Sequence, residues 1–493
     1  MISLSPADTW EISLKMDTAN AFFVGNQMFR LGFQRDGEFT VGSRMIMKIV
    51  TPPLVIKGPD AFAEDLLNRK EYGQSLLNLV SQSSDELVIS LDGKWGEGKN
   101  TFVKMWQCML SESDVPSIYI DAYKNDYLDD VFMCIASAIL CFIEDNIDEE
   151  SEEKSEELKK KAKELAVKVV YWSAKLAVRT VTSGLVNGSD IDELTTNSSE
   201  GDSGYLENII EDRLKNRSKD VALIEEFRAL LSGIPSKLRE QNDGPLVVII
   251  DELDRCRPSF AVEFIEKIKH FFSVKNVVFL LVMNKDQLEE SVRFVYGSNI
   301  DARAYLQKFI NVETKIPKRE SGRIDGDLGK YARKLLRLHE LETFDQDETL
   351  VRCLVPWAEY FKLSLRQLER IYTNLALFYG SSNKNDYISV PLVVFLATTK
   401  VVSPNTFERL MKQEISYSEV SDKFEFSFDK KESTELHHLA NWVRYGLLSQ
   451  DEFSALESDD PIRKFWDTHC EYVFERENLI PLFARKMNVF VVK

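Results

Sequence analysis

The stretch from Gly93 to Thr101, Gly-Lys-Trp-Gly-Glu-Gly-Lys-Asn-Thr, restricts the fold more than any other part of the chain. An apolar run over 87–91 precedes it, and apolar residues at helical spacing follow it over 102–110. A strand, a glycine-rich turn and a helix start are together the setting of a phosphate-binding loop. Its glycines let successive backbone N–H groups face one centre. The stretch therefore predicts an α/β fold that binds phosphate groups.

Every residue of this loop is a candidate for contact with a nucleotide: Gly93, Lys94, Trp95, Gly96, Glu97, Gly98, Lys99, Asn100 and Thr101. We expect the Lys99 ammonium to face solvent and to bind the outer phosphates. Asn100 stands where a Ser or Thr hydroxyl normally ligates magnesium, and its amide oxygen could do so on a longer arm. Three alternatives stay open: Asn100 ligates the metal, water takes that place, or the site binds nucleotide and hydrolyses it poorly.

A second signal is the apolar run over 246–250, which ends at Asp251 and Glu252. A continuous apolar run is typical of a strand that is covered on both faces. Asp251 is the candidate magnesium ligand, and Glu252 is the candidate general base that polarises the attacking water. Alone, the run could simply end in a solvated acidic turn. With a phosphate loop upstream, the two motifs support one nucleotide site.

Three other features of the sequence concern five residues, and the first two features have an open alternative. Asn284 follows the apolar strand predicted over 276–283, and it is either a sensor that orients water or the cap of the next helix. Arg366 and Arg370 lie four apart on one predicted helix face, where either could reach phosphates or both could be surface residues. Asp65 and Arg69, also four apart within a helix predicted from 60 to 81, are expected to form a surface ion pair of little energetic weight.

Composition limits the class of protein. The net charge of −18 disfavours non-specific binding to nucleic acid, so no strong nucleic-acid signal is present. The six cysteines lack CxxC pairs, which argues against a disulfide or zinc framework. The N-terminus lacks the shape of a signal peptide, and no apolar run is long enough to span a bilayer. We therefore expect a cytoplasmic protein.

Five blocks of the sequence together resemble the KAP family of P-loop NTPases, relatives of the AAA+ and STAND groups. The blocks are 65–69, 92–99, 119–127, 250–258 and 305–310. Their most specific parts are the Trp-Gly pair within the loop and the Asp-Glu-Leu-Asp-Arg that follows the apolar strand. The resemblance extends over 58–380, a majority of the chain.

The resemblance implies a P-loop NTPase with a five-stranded parallel sheet, helices on both faces and a helical lid. It implies that ATP and Mg²⁺ are bound, with Lys99 on the phosphates and Asp251 on the metal. Glu252 would be the base and Arg366 the arginine sensor of the lid. Arg255 or Arg257 would then be a finger that acts on a neighbouring subunit, which implies a homo-oligomer or partner proteins of the same operon.

The predicted organisation has four parts. A small strand-rich module covers 1–57, and the KAP P-loop NTPase core covers 58–322, with a charged helical insertion at about 144–222. A helical lid covers 323–400 and a C-terminal helical region covers 401–493. Within the insertion, 165–186 reads as an amphipathic helix; such helices more often pack against their own protein than against a membrane, so membrane contact is not expected.

Bacterial KAP proteins often accompany phage-defence genes, including the ATPase subunit of the QatABCD system. The leading hypothesis is therefore a magnesium-dependent ATPase whose nucleotide state switches assembly or partner binding in phage defence. One alternative is an ATP-driven remodeller of membrane-associated complexes. Another is a nucleotide-binding scaffold with little hydrolysis, which the residue at position 100 suggests. Preference for ATP over GTP is left open by the sequence.

Overall fold

The structure is a computed structural model, and it describes the following residues: 21–24, 27–33, 39–43, 48–52, 61–127 without 64 and 84, 131–146, 160, 164, 221–235 without 223, 244–317, 324–426, 434–458, 460, 462–463 and 476–489. The predicted amphipathic segment 165–186, and nearly all of the predicted insertion around it, lie outside these residues. By internal contacts the chain forms two compact units. One comprises Leu54–Glu320 with Ser364–Arg366, and the other Met1–Pro53, Ser321–Leu363 and Gln367–Lys493. The four-part division of the sequence stays a prediction.

The strands of the described residues are β1 (Ala21–Val24), β2 (Gln27–Phe33), β3 (Phe39–Ser43), β4 (Leu87–Asp92), β5 (Ser117–Asp121), β6 (Leu246–Asp251), β7 (Val277–Met283) and β8 (Val312–Lys315). The helices named here are α1 (Lys70–Ser81), α2 (Lys99–Glu112), α3 (Ala122–Asn125), α4 (Val131–Asn146), α5 (Pro258–Lys267), α6 (Lys285–Tyr296), α7 (Ala302–Leu306), α8 (Asp327–His339), α9 (Asp347–Tyr360), α10 (Leu365–Gly380), α11 (Val390–Val402), α12 (Pro404–Met411), α13 (Tyr417–Phe424), α14 (Thr434–Leu447), α15 (Gln450–Ser454) and α16 (Leu479–Met487).

The unit with the glycine-rich loop is built on a five-stranded sheet in the order β5-β6-β7-β4-β8. All four neighbouring pairs are parallel, which confirms the predicted five-stranded parallel sheet. The register pairs Asp92 with Met283, and Asp251 with both Val282 and Asp121. The residues that follow these four strands therefore lie along one edge of the sheet, as expected for ligand-binding residues in an open parallel sheet.

Both faces of this sheet are covered. Alternate strand residues, such as Val247 and Ile249, pack in a cluster with α1 and α2. Their neighbours Val248 and Ile250 pack in a second cluster with α4 and α5. The period of two along a fully buried strand explains why the run over 246–250 is apolar throughout.

Two predicted elements have different first or last residues in the structure. The helix predicted from 60 begins at Lys70, because Asp65 accepts hydrogen bonds from the backbone N–H groups of Leu67 and Arg69 and Asn68 has a positive φ of 51°. Such local side-chain bonds compete with helical ones. The fifth strand of the sheet, predicted over 309–316, is limited to Val312–Lys315.

The other unit contains the antiparallel sheet β1-β2-β3 and most of the C-terminal helices. An aromatic cluster lies in its core, where Trp357 packs against Phe361, Phe395 and Phe426 with ring centroids 5.4–5.7 Å apart. In the part of the chain that the structure describes, every helix is too short or too polar to cross a bilayer.

Candidate functional site

The glycine-rich loop joins β4 to α2 through a backbone that requires glycine at two positions. Gly96 has a φ of 81° and Gly98 a φ of 78°, in the left-handed region that side chains disfavour. A Cβ at Gly96 would also lie 2.8 Å from the Cβ of Arg366 and 3.0 Å from the Ser364 hydroxyl. The loop is thus a tight turn directly before the first residue of α2, Lys99.

Arg69 holds this loop through hydrogen bonds to its backbone carbonyl groups. Its side chain is buried, and its guanidinium donates to the carbonyl oxygens of Glu97 at 2.9 Å and Gly98 at 3.3 Å. With their carbonyls bonded to Arg69, these peptide groups are held in a fixed orientation. The expected surface ion pair between Arg69 and Asp65 is therefore wrong: Asp65 instead accepts from the backbone N–H of Arg69.

Lys99 is buried, with 7% of its surface exposed, so its ammonium does not face solvent as the sequence suggested. Its Nζ donates to the carbonyl oxygen of Gly93 and, at 3.3 Å, to that of Lys94. Burial lowers the pKa of Lys99, while nearby Asp254, Asp251, Glu97 and Asp92 act in the opposite direction. The ammonium is therefore a poorly hydrated cation surrounded by carboxylates.

Asp251 ends β6 with a buried carboxyl group that is only 1% exposed. One oxygen accepts from the Tyr119 hydroxyl at 2.9 Å and the other from the backbone N–H of Glu252 at 2.8 Å. Burial nevertheless raises the pKa of Asp251 to about 6, because desolvation outweighs these two hydrogen bonds. Desolvation also raises the pKa of Tyr119, so its hydroxyl remains protonated and continues to donate.

Glu252 follows in a left-handed backbone conformation with a φ of 60°. Its Oε1 accepts from the side-chain amide of Asn100 at 2.8 Å. Its Oε2 lies 3.2 Å from Nη1 of Arg255. Each carboxylate oxygen of the candidate base thus has its own donor. Asn100 is distant from Glu252 in the sequence, whereas Arg255 follows Glu252 by three residues.

The remaining loop residues have separate partners. The Trp95 ring nitrogen donates to the buried carboxylate of Asp254, three residues after Asp251. Glu97 accepts from the backbone N–H of Lys94 at 2.9 Å, which closes the turn. Thr101 is half-buried in the first turn of α2.

Asn284 lies directly after β7, between the ends of β4 and β6. It is the N-cap residue of α6 by position, but its side chain makes no capping hydrogen bond. The first N–H of α6 is instead bonded to the carboxylate of Asp92, at 3.0 Å from the Lys285 nitrogen. The side chain of Asn284 is therefore not used as a cap, which leaves the sensor role as a prediction.

Arg366 lies in the first turn of α10, against the tip of the loop. Its backbone nitrogen is 3.4 Å from the carbonyl oxygen of Gly96, and its side chain is exposed. The exposed Arg370 follows one turn later on the same helix. The backbone of Arg366 thus contacts the phosphate loop, and the role of Arg366 as a sensor stays a prediction.

The two candidate finger residues both have partners within the chain. Arg255 pairs with Glu252, and the side chain of Arg257 bonds to Asp126 with an Nε–Oδ1 distance of 3.0 Å. Asp121, at the end of β5, caps α3 by accepting from the backbone N–H of Lys124. A finger role in a neighbouring subunit would require Arg255 or Arg257 to leave these partners.

These residues fit a nucleotide with magnesium. The described residues contain no group of three or more His, Cys, Asp or Glu that could form a metal cage. Magnesium usually needs none, since it binds through one or two carboxylates together with phosphate oxygens and water. The buried Asp251 carboxylate offers such a ligand, and the buried Lys99 ammonium and the glycine turn offer donors for phosphate oxygens.

The sequence did not predict the contacts that three residues make in this site: those of Arg69 with the loop carbonyls, of Tyr119 with Asp251, and of Asp254 with Trp95. Arg69 and Tyr119 lie inside two of the blocks that carry the family resemblance, but nothing in their spacing shows which loop or carboxylate they contact. The signal for Asp254 was its place as the third acid of the Asp-Glu-Leu-Asp run, three residues after Asp251.

The family profile of the KAP family P-loop domain matches residues 69–381. No curated protein matches the chain. Among solved structures, the ORC2 protein of Aeropyrum pernix, described in ADPNP-ADP complexes, is similar at 13% identity and a TM-score of 0.34, over 88% of this chain and 98% of that one.

Proposed function

Because the chain belongs to the KAP family of P-loop NTPases, we propose that it is a magnesium-dependent switch protein that binds and hydrolyses ATP. The observation that supports this most directly is the contact between the two motifs of the site. Asn100, next to the phosphate-binding lysine, donates to Glu252, the candidate base, across 152 positions of sequence. The residues proposed to bind phosphate and to activate water thus lie at one edge of the sheet.

Each residue has a distinct proposed role. Lys99 donates to phosphate oxygens in place of the loop carbonyls that it contacts here. Glu252 accepts a proton from the water whose oxygen attacks the γ-phosphorus, while the bond from that phosphorus to the β-phosphate oxygen breaks. Asn284 orients the water, and Arg366 donates to the outer phosphates.

Asp251 is the proposed magnesium ligand, and the amide oxygen of Asn100 is a second one. When bound, magnesium neutralises negative charge on the phosphates. The unfavourable burial of the Asp251 carboxylate supports this assignment, because a cation nearby would favour the charged form that burial disfavours.

The biological role that we propose is the ATPase component of an anti-phage defence system, in the cytoplasm. Its nucleotide state would control assembly with further copies of the chain or with proteins of the same operon. This rests on the family resemblance. Phosphate release measured with and without phage lysate tests it, since a switch of this kind should respond to a product of infection and a housekeeping enzyme should not.

The test of the enzymatic proposal is a magnesium titration of phosphate release at saturating ATP, with GTP in parallel. We expect release to require magnesium and to be lost in Asp251→Asn. Asp121→Asn, at the paired position of the neighbouring strand, is the matched control and should keep its activity. Tight ATP binding without phosphate release in the unmodified protein would favour the second candidate, a nucleotide-binding scaffold, which the amide at position 100 supports.

A further inference from the structure

Asn100 stands where a phosphate loop normally has a Ser or Thr, and its side chain makes a hydrogen bond in this structure. The amide nitrogen donates to Oε1 of Glu252 at 2.8 Å. A Ser or Thr hydroxyl is attached one bond closer to the backbone, so it would not reach this oxygen without movement of α2 or β6. The asparagine thus makes a contact that the usual residue could not make from the same place.

The second oxygen of Glu252 has its own donor. Nη1 of Arg255 lies 3.2 Å from Oε2, and the Glu252 side chain is 14% exposed. The backbone of Glu252 is held as well, because its N–H donates to Asp251 and its carbonyl oxygen accepts from the backbone N–H of Arg255 at 3.1 Å. The direction of the carboxylate is therefore set by Asn100 on one side and Arg255 on the other.

We propose that Asn100 is a positioning residue for Glu252, and that the NH₂ group of the amide contributes to turnover separately from any ligation of magnesium by the amide oxygen. This assignment rests on the proposed role of Glu252 as the base. Because Asn100 directly follows Lys99 in the first turn of α2, the helix that binds phosphate also holds the base. Arg255 acts on the same carboxylate within its own chain.

Two substitutions separate this role from metal ligation. Asn100→Asp keeps oxygen atoms for magnesium but removes the donor to Glu252, whereas Asn100→Ala removes both. We expect kcat to fall at least about tenfold in both variants, part of the range that general-base catalysis contributes, with the Kd for ATP nearly unchanged. Asn100→Gln, which retains an amide on a longer arm, should recover part of kcat. Asn405→Ala is the control, since Asn405 is also the second residue of its helix and is exposed.

A measurement without nucleotide tests the contact itself. In a double-mutant cycle of Asn100→Ala and Glu252→Ala, followed by urea unfolding in EDTA, we expect a coupling of about tenfold in the unfolding equilibrium constant, as for a hydrogen bond to a charged group. Additive effects of the two substitutions would overturn the proposal.

Three kinetic results would also overturn it, and one of them separates it from the proposed function. If the unmodified protein hydrolyses ATP and Asn100→Asp retains its kcat, the positioning role fails while the ATPase stands. A higher kcat in Asn100→Ala would mean that the contact restrains Glu252. If the unmodified protein binds ATP without releasing phosphate, the proposed function fails, and the positioning role fails with it.

Discussion

Replacement of Asp251 by Asn should stabilise the magnesium-free protein near neutral pH, although the same change should abolish hydrolysis. Burial raises the pKa of this carboxyl from 3.8 to about 6. This increase in pKa means that the charged Asp251 carboxylate destabilises the folded chain by about 3 kcal/mol. An uncharged amide of the same shape removes that penalty.

Part of this gain is offset by lost hydrogen bonds. Asp251 accepts from both the Tyr119 hydroxyl and the Glu252 N–H, and an amide offers one carbonyl oxygen in place of two carboxylate oxygens. One lost acceptor costs about 1–2 kcal/mol. We therefore expect a net stabilisation of about 1–2 kcal/mol at about pH 7.5, from the difference of these two effects.

The pH dependence identifies the cause. Between about pH 4 and about pH 6, the folded chain holds a proton that the unfolded chain has lost, so the stability of the unmodified protein falls as pH rises through this window. The advantage of Asp251→Asn should accordingly shrink by about 2 kcal/mol when pH falls from about 7.5 to about 4.5, because the buried acid is then protonated.

Urea unfolding in EDTA at the two pH values, followed by tryptophan fluorescence, measures this difference. Asp121→Asn is the control, because that carboxylate caps α3 and pairs with Lys124, so its replacement should give no stabilisation. If Asp251→Asn destabilises the protein equally at both pH values, Asp251 carries no desolvation penalty and the argument for a cation at this position loses its physical basis.

Two further predictions concern the phosphate loop. ATP with magnesium at a hundredfold excess over Kd should stabilise the unmodified protein by about 2.7 kcal/mol in thermal unfolding, and Lys99→Ala should lose most of this stabilisation. The control is Lys104→Ala, because Lys104 is an exposed lysine of the same helix. Equal stabilisation of all three proteins would exclude Lys99 from the phosphate site. Arg69→Met keeps the buried stem but leaves two loop carbonyls without their donor, so urea unfolding should show a loss of about 1–3 kcal/mol, against no loss in the exposed Arg370→Met.

The parts of the site that lie on strand ends could be predicted from sequence. A continuous apolar run that ends in acids, as over 246–252, indicates both a buried strand and the edge where its polar residues lie. The five-stranded parallel sheet and the location of Lys99, Asp251 and Glu252 at its edge follow from such runs and from the family resemblance. The strand order, which inserts β7 between β4 and β6, required the structure.

Contacts between distant segments could not be predicted. The spacing of Asp65 and Arg69 suggests that both lie on one face of a helix. The positive φ of Asn68 shows that this segment is not helical, and Arg69 donates to the loop carbonyls. Likewise, the place of Asn100 in the loop suggests a metal ligand as one of three alternatives, and none of them involves Glu252. Only the fold shows that its amide nitrogen meets Glu252, because the two residues come together through packing of α2 beside β6 and not through local pattern.

The most direct test of the site uses Glu252→Gln, which keeps the shape of the side chain but cannot accept the proton of the attacking water. Labelled ATP and magnesium are added to the unmodified protein and to this variant, and bound nucleotide and released phosphate are measured in the same samples. We predict that both proteins bind ATP with similar Kd, and that the variant retains it unhydrolysed, with a rate at least about a hundredfold lower. Phosphate release by Glu252→Gln at the rate of the unmodified protein would contradict the assignment of the base, and failure of both proteins to bind ATP would contradict the nucleotide site itself.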